Sequence, residues 1–317
     1  MHTPRPRARA TPPPLPLPLR TRDGVGPSCV ALPAGPWATI AECLVARFPG
    51  VAASVWATRI ADGEVVDEHG RVVDATRMHQ PGLRVYYYRA LESEAPIPFE
   101  EQVLFQDAHL VVVDKPHFLP VTPTGRYVQQ SLLVRLKRRL GIDTLVPVHR
   151  IDRETAGLVL FSVQPTTRGA YSQLFAERQV HKHYEAVVPW PAGATLPAVR
   201  LSRLAEDRHF MRMGEMPGEP NAETHLRLLA ERDGRAHLAL SPVTGRKHQL
   251  RVHCAALGLP IVNDLIYPAL QPEGSDDFAR PLQLLARAVA FTDPLDGRPR
   301  EFTSTRALAL ALTPYAR

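Results

Sequence analysis

Residues 149–161, HRIDRETAGLVLF, constrain this 317-residue chain more tightly than any other stretch. Ionisable side chains crowd His149, Arg150, Asp152, Arg153 and Glu154, and the chain then runs apolar without a break from Leu158 to Phe161. Such a run reads as a buried strand, and VPV just before the charged tract reads as another. The charges therefore fall on a short connection between two strands, the kind of loop a rigid sheet can hold over a cleft. Arg153 and Glu154 read as a solvated turn, and His149 as a neutral histidine bracing the loop. Thr155 and Gly157 shape it, the glycine through a backbone conformation closed to other residues. Asp152 stays open between dull solvation and chemistry.

The segments around this connection alternate strand and helix signals without a single βαβ rhythm. HLVVVDKP (109–116), GLVLFSV, KHYEAVV (182–188), ETHLRLLAE (223–231) and RAHLALS (235–241) have strand character, and Asp233-Gly234 joins the last two as a hairpin. SLLVRLKRRLG (131–141) predicts a basic amphipathic helix ending at Gly141, with Arg135, Lys137, Arg138 and Arg139 on a solvated face. PTTRGAYSQLFAERQ predicts a helix capped by Thr166 or Thr167, and GRKHQLRVHCAALG one capped by Thr244 and closed by Gly258. The sum is a mixed, mainly antiparallel α+β domain over 102–317.

Upstream, residues 1–33 are rich in proline and arginine and predict an extended tail that cannot bury enough apolar surface to fold. From 34 to 89 comes a smaller unit: IAECLVARF has helical spacing, and the rest reads as short segments broken by Asp62-Gly63 and Pro81-Gly82, ending in the strand-prone VYYY. Residues 90–101 are acidic and proline-containing and read as a linker. The helix followed by a turn-rich β segment resembles a degenerate S4-type RNA-binding domain, with its basic helix face reduced to isolated residues such as Arg47 and Arg59.

A net charge of +6 favours a polyanionic partner. Three scattered cysteines are too few for a disulfide framework or a cysteine-based zinc site, and fit a reducing compartment. No stretch approaches the roughly 20 apolar residues that span a bilayer, and no apolar signal segment opens the chain. The expectation is a cytoplasmic monomer with no membrane partner.

A second stretch, TGRKHQLRVH (244–253), concentrates Arg246, His248, Arg251 and His253 on one predicted helix and its N-terminus. His248, Arg251 and Ala255 share one face, and Leu250, Cys254 and Leu257 form the adjoining apolar stripe. Together with HRIDRETAGLVLF, VVVDKP (111–116), FAERQVHKHYEAVV (175–188) and TGRKHQLRVHCAALGLPIVNDLIY (244–267), the chain resembles the RluA-type pseudouridine synthases in motif order and spacing over roughly residues 100–305.

That resemblance implies isomerisation of uridine in structured RNA without cofactor or metal; the S4-like unit leans the target toward ribosomal RNA, with transfer RNA second. It assigns the catalytic carboxylate to Asp152, which either attacks the sugar or base or removes a sugar proton. It assigns Asp152's cationic partner to Arg251, and to Tyr184 stacking on the base and proton transfer at C5. Burial alone would raise the carboxylate's pKa, so a fixed cation is needed to hold its charge. The target nucleotide must flip out of its stack, and Arg150 is aligned to fill the space it leaves. Lys115, Arg246, His248 and Gln249 are candidates for RNA contact, each against a structural alternative. Arg251→Met is expected to lose rate with little loss of fold.

Departures from the family pattern fall on the pocket rim: His117 and Phe118 after the Lys-Pro pair, Leu285 for a histidine, and Asn263 for a glycine, asparagine being the best mimic of glycine at positive φ. Two other readings compete. A glycosidase could use Asp152 and Glu154 as paired carboxylates; a non-catalytic S4-like RNA-binding protein could carry a decayed synthase domain. Decay should have struck Asp152, Tyr184 or Arg251, and all three are present.

Overall fold

The structure, a computed structural model, describes residues 18–89, 94–207, 209, 211–272, 274 and 276–312. The chain divides into two compact units between Ala90 and Leu91.

The first unit runs β1 (Ser28–Ala31), α1 (Ile40–Arg47), α2 (Ala53–Ala61), β2 (Val65–Asp67) and β3 (Arg84–Tyr87). Its three strands pair antiparallel in the order β1-β3-β2. Thr39 caps α1 by accepting from the Glu42 N–H, and Glu42 in turn accepts from the Ala38 N–H, so two orphan donors at the helix start are satisfied. Two sequence expectations fail here. Ser28–Ala31 lies within the segment assigned to the extended tail, yet its backbone pairs with Arg84–Tyr87. The unit therefore begins with a strand rather than a helix, and of the tail residues 1–17 lie outside the described residues. ASVWATRIA, read as broken short segments, is helix α2: Trp56 and Ile60, four apart, enter a core with Leu44, Val85 and Tyr87. Tertiary burial of that face outweighs the β-branched residues.

The second unit carries the pocket. Its elements are β4 (Gln102–Gln106), β5 (Leu110–Lys115), α3 (Leu132–Leu140), β6 (Val146–Pro147), β7 (Ala156–Ser162), α4 (Arg168–Ala176), β8 (His181–Pro189), β9 (Val199–Glu206), β10 (Met213–Met216), β11 (Ala222–Arg232), β12 (Arg235–Pro242), α5 (Gln249–Ala256), β13 (Leu284–Thr292) and β14 (Pro299–Thr303). The strands form one sheet in the order β10-β9-β11-β12-β8-β13-β7-β5-β4, with β14 added to β13 and β6 to β7. All its pairings are antiparallel except β13 with β7. This is the mixed, mainly antiparallel α+β domain that the sequence predicts.

Every residue of β5 and β7 is buried. Val111, Val113, Val159 and Phe161 pack with Leu132 and Leu136 of α3 on one face; Leu110, Val112, Leu158 and Leu160 pack with Tyr171 and Leu174 of α4 on the other. A strand covered on both faces has no polar side, which is why LVVV and LVLF run apolar without alternation. Gly157 sits where β7 meets both β5 and β13; its φ is +109°, and a Cβ there would lie 2.3 Å from the Ala286 carbonyl oxygen. Asp233 and Gly234, both at positive φ, turn β11 into β12 as a two-residue hairpin.

The expected linker is a strap rather than a spacer. The Glu94 carboxylate accepts from the N–H groups of Val128, Gln129 and Gln130, and Ile97 is buried against the α3 side of the sheet. Residues 90–93 lie outside the described residues. No helix among the described residues is long and apolar enough to cross a membrane.

Candidate active site

The loop between β6 and β7 is fixed from three sides. Lys115, at the end of β5 and with no exposed surface, donates from Nζ to the carbonyls of Pro116, Leu119 and Arg153 at 2.9, 2.8 and 3.0 Å. His149 accepts the Leu160 N–H at Nε2 (3.1 Å) and stacks on Phe175, and its surroundings push its pKa down to about 3 through burial. His117 Nδ1 donates to the Glu154 carbonyl at 2.6 Å, and burial pushes its pKa down to about 4. Lys115 therefore holds the loop and is not a contact for RNA phosphate: all three of its donors are consumed by backbone. His149 has the bracing role the sequence assigned it.

Asp152 emerges from this loop toward α5. Arg251 Nη1 donates to Asp152 Oδ2 at 3.1 Å, and the same nitrogen lies 3.5 Å from Glu154 Oε2. The other edge of the guanidinium is locked onto Asp264, Nε to Oδ2 at 2.8 Å and Nη2 to Oδ1 at 2.6 Å, with neither Arg251 nor Asp264 exposing any side-chain surface. Asp264 Oδ1 also accepts the N–H groups of Ile266 and Tyr267. Burial works against the Arg251 charge, but the hydrogen bonds it donates to Asp264 and the charges of three carboxylates hold its pKa above the ordinary arginine value. Burial likewise works to raise the Glu154 pKa, and the Arg251 and Arg153 guanidiniums outweigh it and hold it below the usual range.

Arg153 and Glu154 thus do not form a solvated turn. Their side chains are 19% and 16% exposed, Arg153 ion-pairs with Glu154 and with Asp276, and its guanidinium lies over the Tyr127 ring. Two further carboxylates complete the site: Glu154, which the sequence places in a solvated turn, and Asp264, to which it assigns no role. A signal for Asp264 existed: it is a lone charge inside the apolar run LPIVNDLIY, and a charge buried in such a run needs a partner.

The approach to α5 is also more structural than expected. Thr244 does not cap the helix; His248 occupies the N-cap position in a left-handed conformation, φ 56°. Thr244 instead donates to Gln249 Oε1 at 2.7 Å and accepts from the Glu223 N–H. Gln249 Oε1 also accepts the Arg246 N–H, and its Nε2 donates to the Glu223 carbonyl and Thr224 Oγ1. Gln249 is buried with every polar valence used, so it pins the loop and cannot touch RNA. Arg246 is exposed, with Nε donating to the Asn221 carbonyl. His248 pairs through Nδ1 with the Tyr267 hydroxyl at 3.0 Å and brings Nε2 to 3.9 Å from Asp152 Oδ1; burial lowers its pKa.

Asp152, Tyr184, Arg251, Arg150, Arg246, His248 and Gln249 all line one cavity of about 860 Å³ in the second unit; Lys115 lies behind its wall. Tyr184 projects from β8, and burial followed by the Asp152 charge raises its pKa, so its phenol is neutral near pH 7. Arg150 is exposed at the cavity. Of the rim departures, Asn263 takes φ 64°, as its imitation of glycine requires, and Phe118 takes φ 66° while packing on Phe99 and Phe278. Leu285 is buried in the core and has no part in the rim.

The carboxylates of Asp152, Glu154 and Asp264 converge on a guanidinium, and among the described residues no group of three His, Cys, Asp or Glu side chains is placed to hold a metal ion. What the arrangement offers is one carboxylate paired with a buried cation while 25% of its side chain stays exposed at an open, partly aromatic cavity.

Residues 109–256 match the family model described as RNA pseudouridylate synthase. The dual-specificity RNA pseudouridine synthase RluA of Haemophilus influenzae is 31% identical over 218 residues, covering 68% of this chain and 97% of that protein. The mitochondrial tRNA pseudouridine(32) synthase of Saccharomyces cerevisiae is 34% identical over 178 residues, 52% of this chain and 37% of that one. Among solved structures, human RNA pseudouridylate synthase domain containing 1 superposes with a TM-score of 0.54 at 23% identity, covering 68% of this chain and 86% of its own. The corresponding human domain containing 4 gives 0.50 at 26% identity, over 64% and 87%.

Proposed function

Because the chain belongs to the RluA-type family of RNA pseudouridine synthases, we propose that its cavity takes a uridine flipped out of structured RNA and that Asp152 carries the isomerisation. The observation that carries this reading is the 3.1 Å contact between Arg251 Nη1 and Asp152 Oδ2 at the wall of a cavity also lined by Tyr184.

The reaction breaks the N1–C1′ bond, turns the base and forms C5–C1′; the proton lost from C5 balances the one gained at N1. Asp152 serves as the nucleophile or base that starts it, its carboxylate held by the Arg251 guanidinium. Tyr184 is the platform on which the base lies: its raised pKa favours the neutral phenol, which suits stacking and proton donation better than proton removal. Arg150, exposed and always charged, is suited to fill the stack the uridine vacates. Arg246 and His248 stand at the cavity as RNA contacts.

The reading as a non-catalytic RNA-binding protein fails on the same geometry, because the catalytic carboxylate, its cation and the tyrosine are assembled together. Ribosomal RNA is our first substrate class, and the transfer RNA named in the yeast relative is the second. Tritium release from RNA labelled at uridine C5 tests the chemistry. Asp152→Asn is expected to abolish release, a loss of at least about 10³-fold, with RNA binding retained; full release by that variant would overturn the assignment. Mapping pseudouridine in ribosomal and transfer RNA from cells with and without the gene separates the substrate classes.

A further inference from the structure

Beyond the residues already given roles, the cavity wall carries three cations: Lys247 on the approach to α5, and Arg178 and Lys182 on the chain just ahead of Tyr184, the pair considered next. Neither forms an ion pair with a carboxylate among the described residues. Lys182 is half-buried, and its ammonium lies against the Thr244–Gly245 backbone, donating to the Thr244 carbonyl at 3.1 Å. An ammonium has three donors, so two more are left for something else. Burial, and then the neighbouring Arg178 charge, lowers its pKa. Two like charges side by side with no anion between them are a cost that folding alone does not explain.

Arg178 adds an independent oddity. It follows α4 in a left-handed conformation, φ 59°, where its N–H bonds the Phe175 carbonyl and the Gln179 N–H bonds the Leu174 carbonyl. That pair of bonds is the Schellman ending, whose left-handed position glycine fills without strain. An arginine here strains the backbone while its exposed side chain reaches the cavity wall, and strain of this kind points to function. Lys182, in turn, lies two residues before Tyr184 on β8, so both side chains leave the same face of the strand. A base lying on Tyr184 brings its own sugar–phosphate toward the ammonium.

We propose that Lys182 and Arg178 form a phosphodiester subsite that grips the backbone of the flipped nucleotide, separate from the Asp152–Arg251 pair that performs the chemistry. This rests on reading the cavity as a uridine pocket. The two residues divide the task by their chemistry: the lysine is a point charge aimed into the wall, the arginine a planar fork able to hold two phosphate oxygens at once.

The probe is a fluorescein-labelled decamer of uridylate, with its affinity for the full chain measured across a potassium chloride series. Each lost phosphate contact should lower the slope of log Kd against log salt by about 0.7. Lys182→Met and Arg178→Gly should each show that loss, and the double variant about 1.4. Arg178→Gly should also raise the melting temperature, since glycine suits the left-handed position, so its weaker binding cannot be blamed on unfolding. In turnover on cellular RNA both variants should raise KM and leave kcat nearly unchanged, whereas Asp152→Asn removes kcat. Unaltered salt slopes in an isomerising enzyme would overturn the subsite alone. Salt slopes that fall as expected in a protein that never forms pseudouridine would overturn the catalytic reading and leave the phosphate site standing.

Discussion

Two charged clusters lie on opposite faces of β8, and each is built on one arginine. Tyr184 and Glu185 are consecutive, so their side chains leave the strand on opposite sides. On the Glu185 side, Arg287 holds both carboxylate oxygens at 2.8 and 2.9 Å, His237 adds a contact at 3.2 Å, and Arg287 Nη1 donates to the carbonyls of Ser304 and Arg306. Both carboxylate oxygens are held within the protein. On the Tyr184 side, Arg251 is just as occupied, but Asp152 is not: one oxygen takes a single bond from Arg251, and the other has His248 only at 3.9 Å. The same residue types make a brace when saturated and a reagent when one carboxylate keeps its lone pairs toward a cavity.

The largest expected effect that separates them is loss of the arginine. Arg251→Met leaves Asp264, with no exposed side-chain surface, and Asp152 without their cation, while Glu154 keeps Arg153; this should cost about 3–5 kcal/mol of stability along with all activity. Arg287 is 24% exposed, so water can reach the carboxylate it leaves behind. Arg287→Met should cost about 1–2 kcal/mol and leave isomerisation intact. Urea midpoints and tritium release measured on both variants check this; equal losses of stability and activity in the two would erase the distinction. The sequence expects Arg251→Met to spare the fold on the strength of one partner, Asp152; the three carboxylates around Arg251 turn that expectation toward a loss of stability.

What was legible in the sequence follows from this contrast. Asp152 and Arg251 stood out because charge is dense in two short stretches, and the hairpin at Asp233-Gly234 because both residues tolerate positive φ. Apolar runs marked β5 and β7 because they are covered on both faces. The roles of Lys115 and Gln249 are not legible for a common reason: a polar residue beside a pocket looks the same in sequence whether it faces the ligand or ties backbone behind it. Only the count of its donors and acceptors in three dimensions decides. The first unit was misread because ASVWATRIA is a poor helix by propensity, and the core residues that hold it, Leu44, Val85 and Tyr87, are distant in sequence.

A smaller effect distinguishes the clusters by pH. His149 has a native pKa near 3, below the unfolded value of about 6.5. Below pH 6.5 the unfolded chain therefore binds a proton that the native loop refuses, and stability falls as pH drops from 6.5 toward 3, by at most about 1.4 kcal/mol per pH unit for this group. His117, with a native pKa near 4, has the same sign. Glu185, lowered to about 2, loses its contribution only as pH falls below the usual glutamate range near 4.5, and His237, whose pKa is raised, contributes most below 6.5 and loses that as pH rises through its native value. Between pH 6.5 and 4.5 the active-site loop should thus weaken while the closed cluster does not. His149→Gln keeps an acceptor for the Leu160 N–H but cannot titrate, so it should flatten the fall in urea midpoint across that window, and Glu185→Gln should not. A midpoint that falls as steeply in His149→Gln as in the unaltered protein would mean that His149 is not the neutral brace of the catalytic loop.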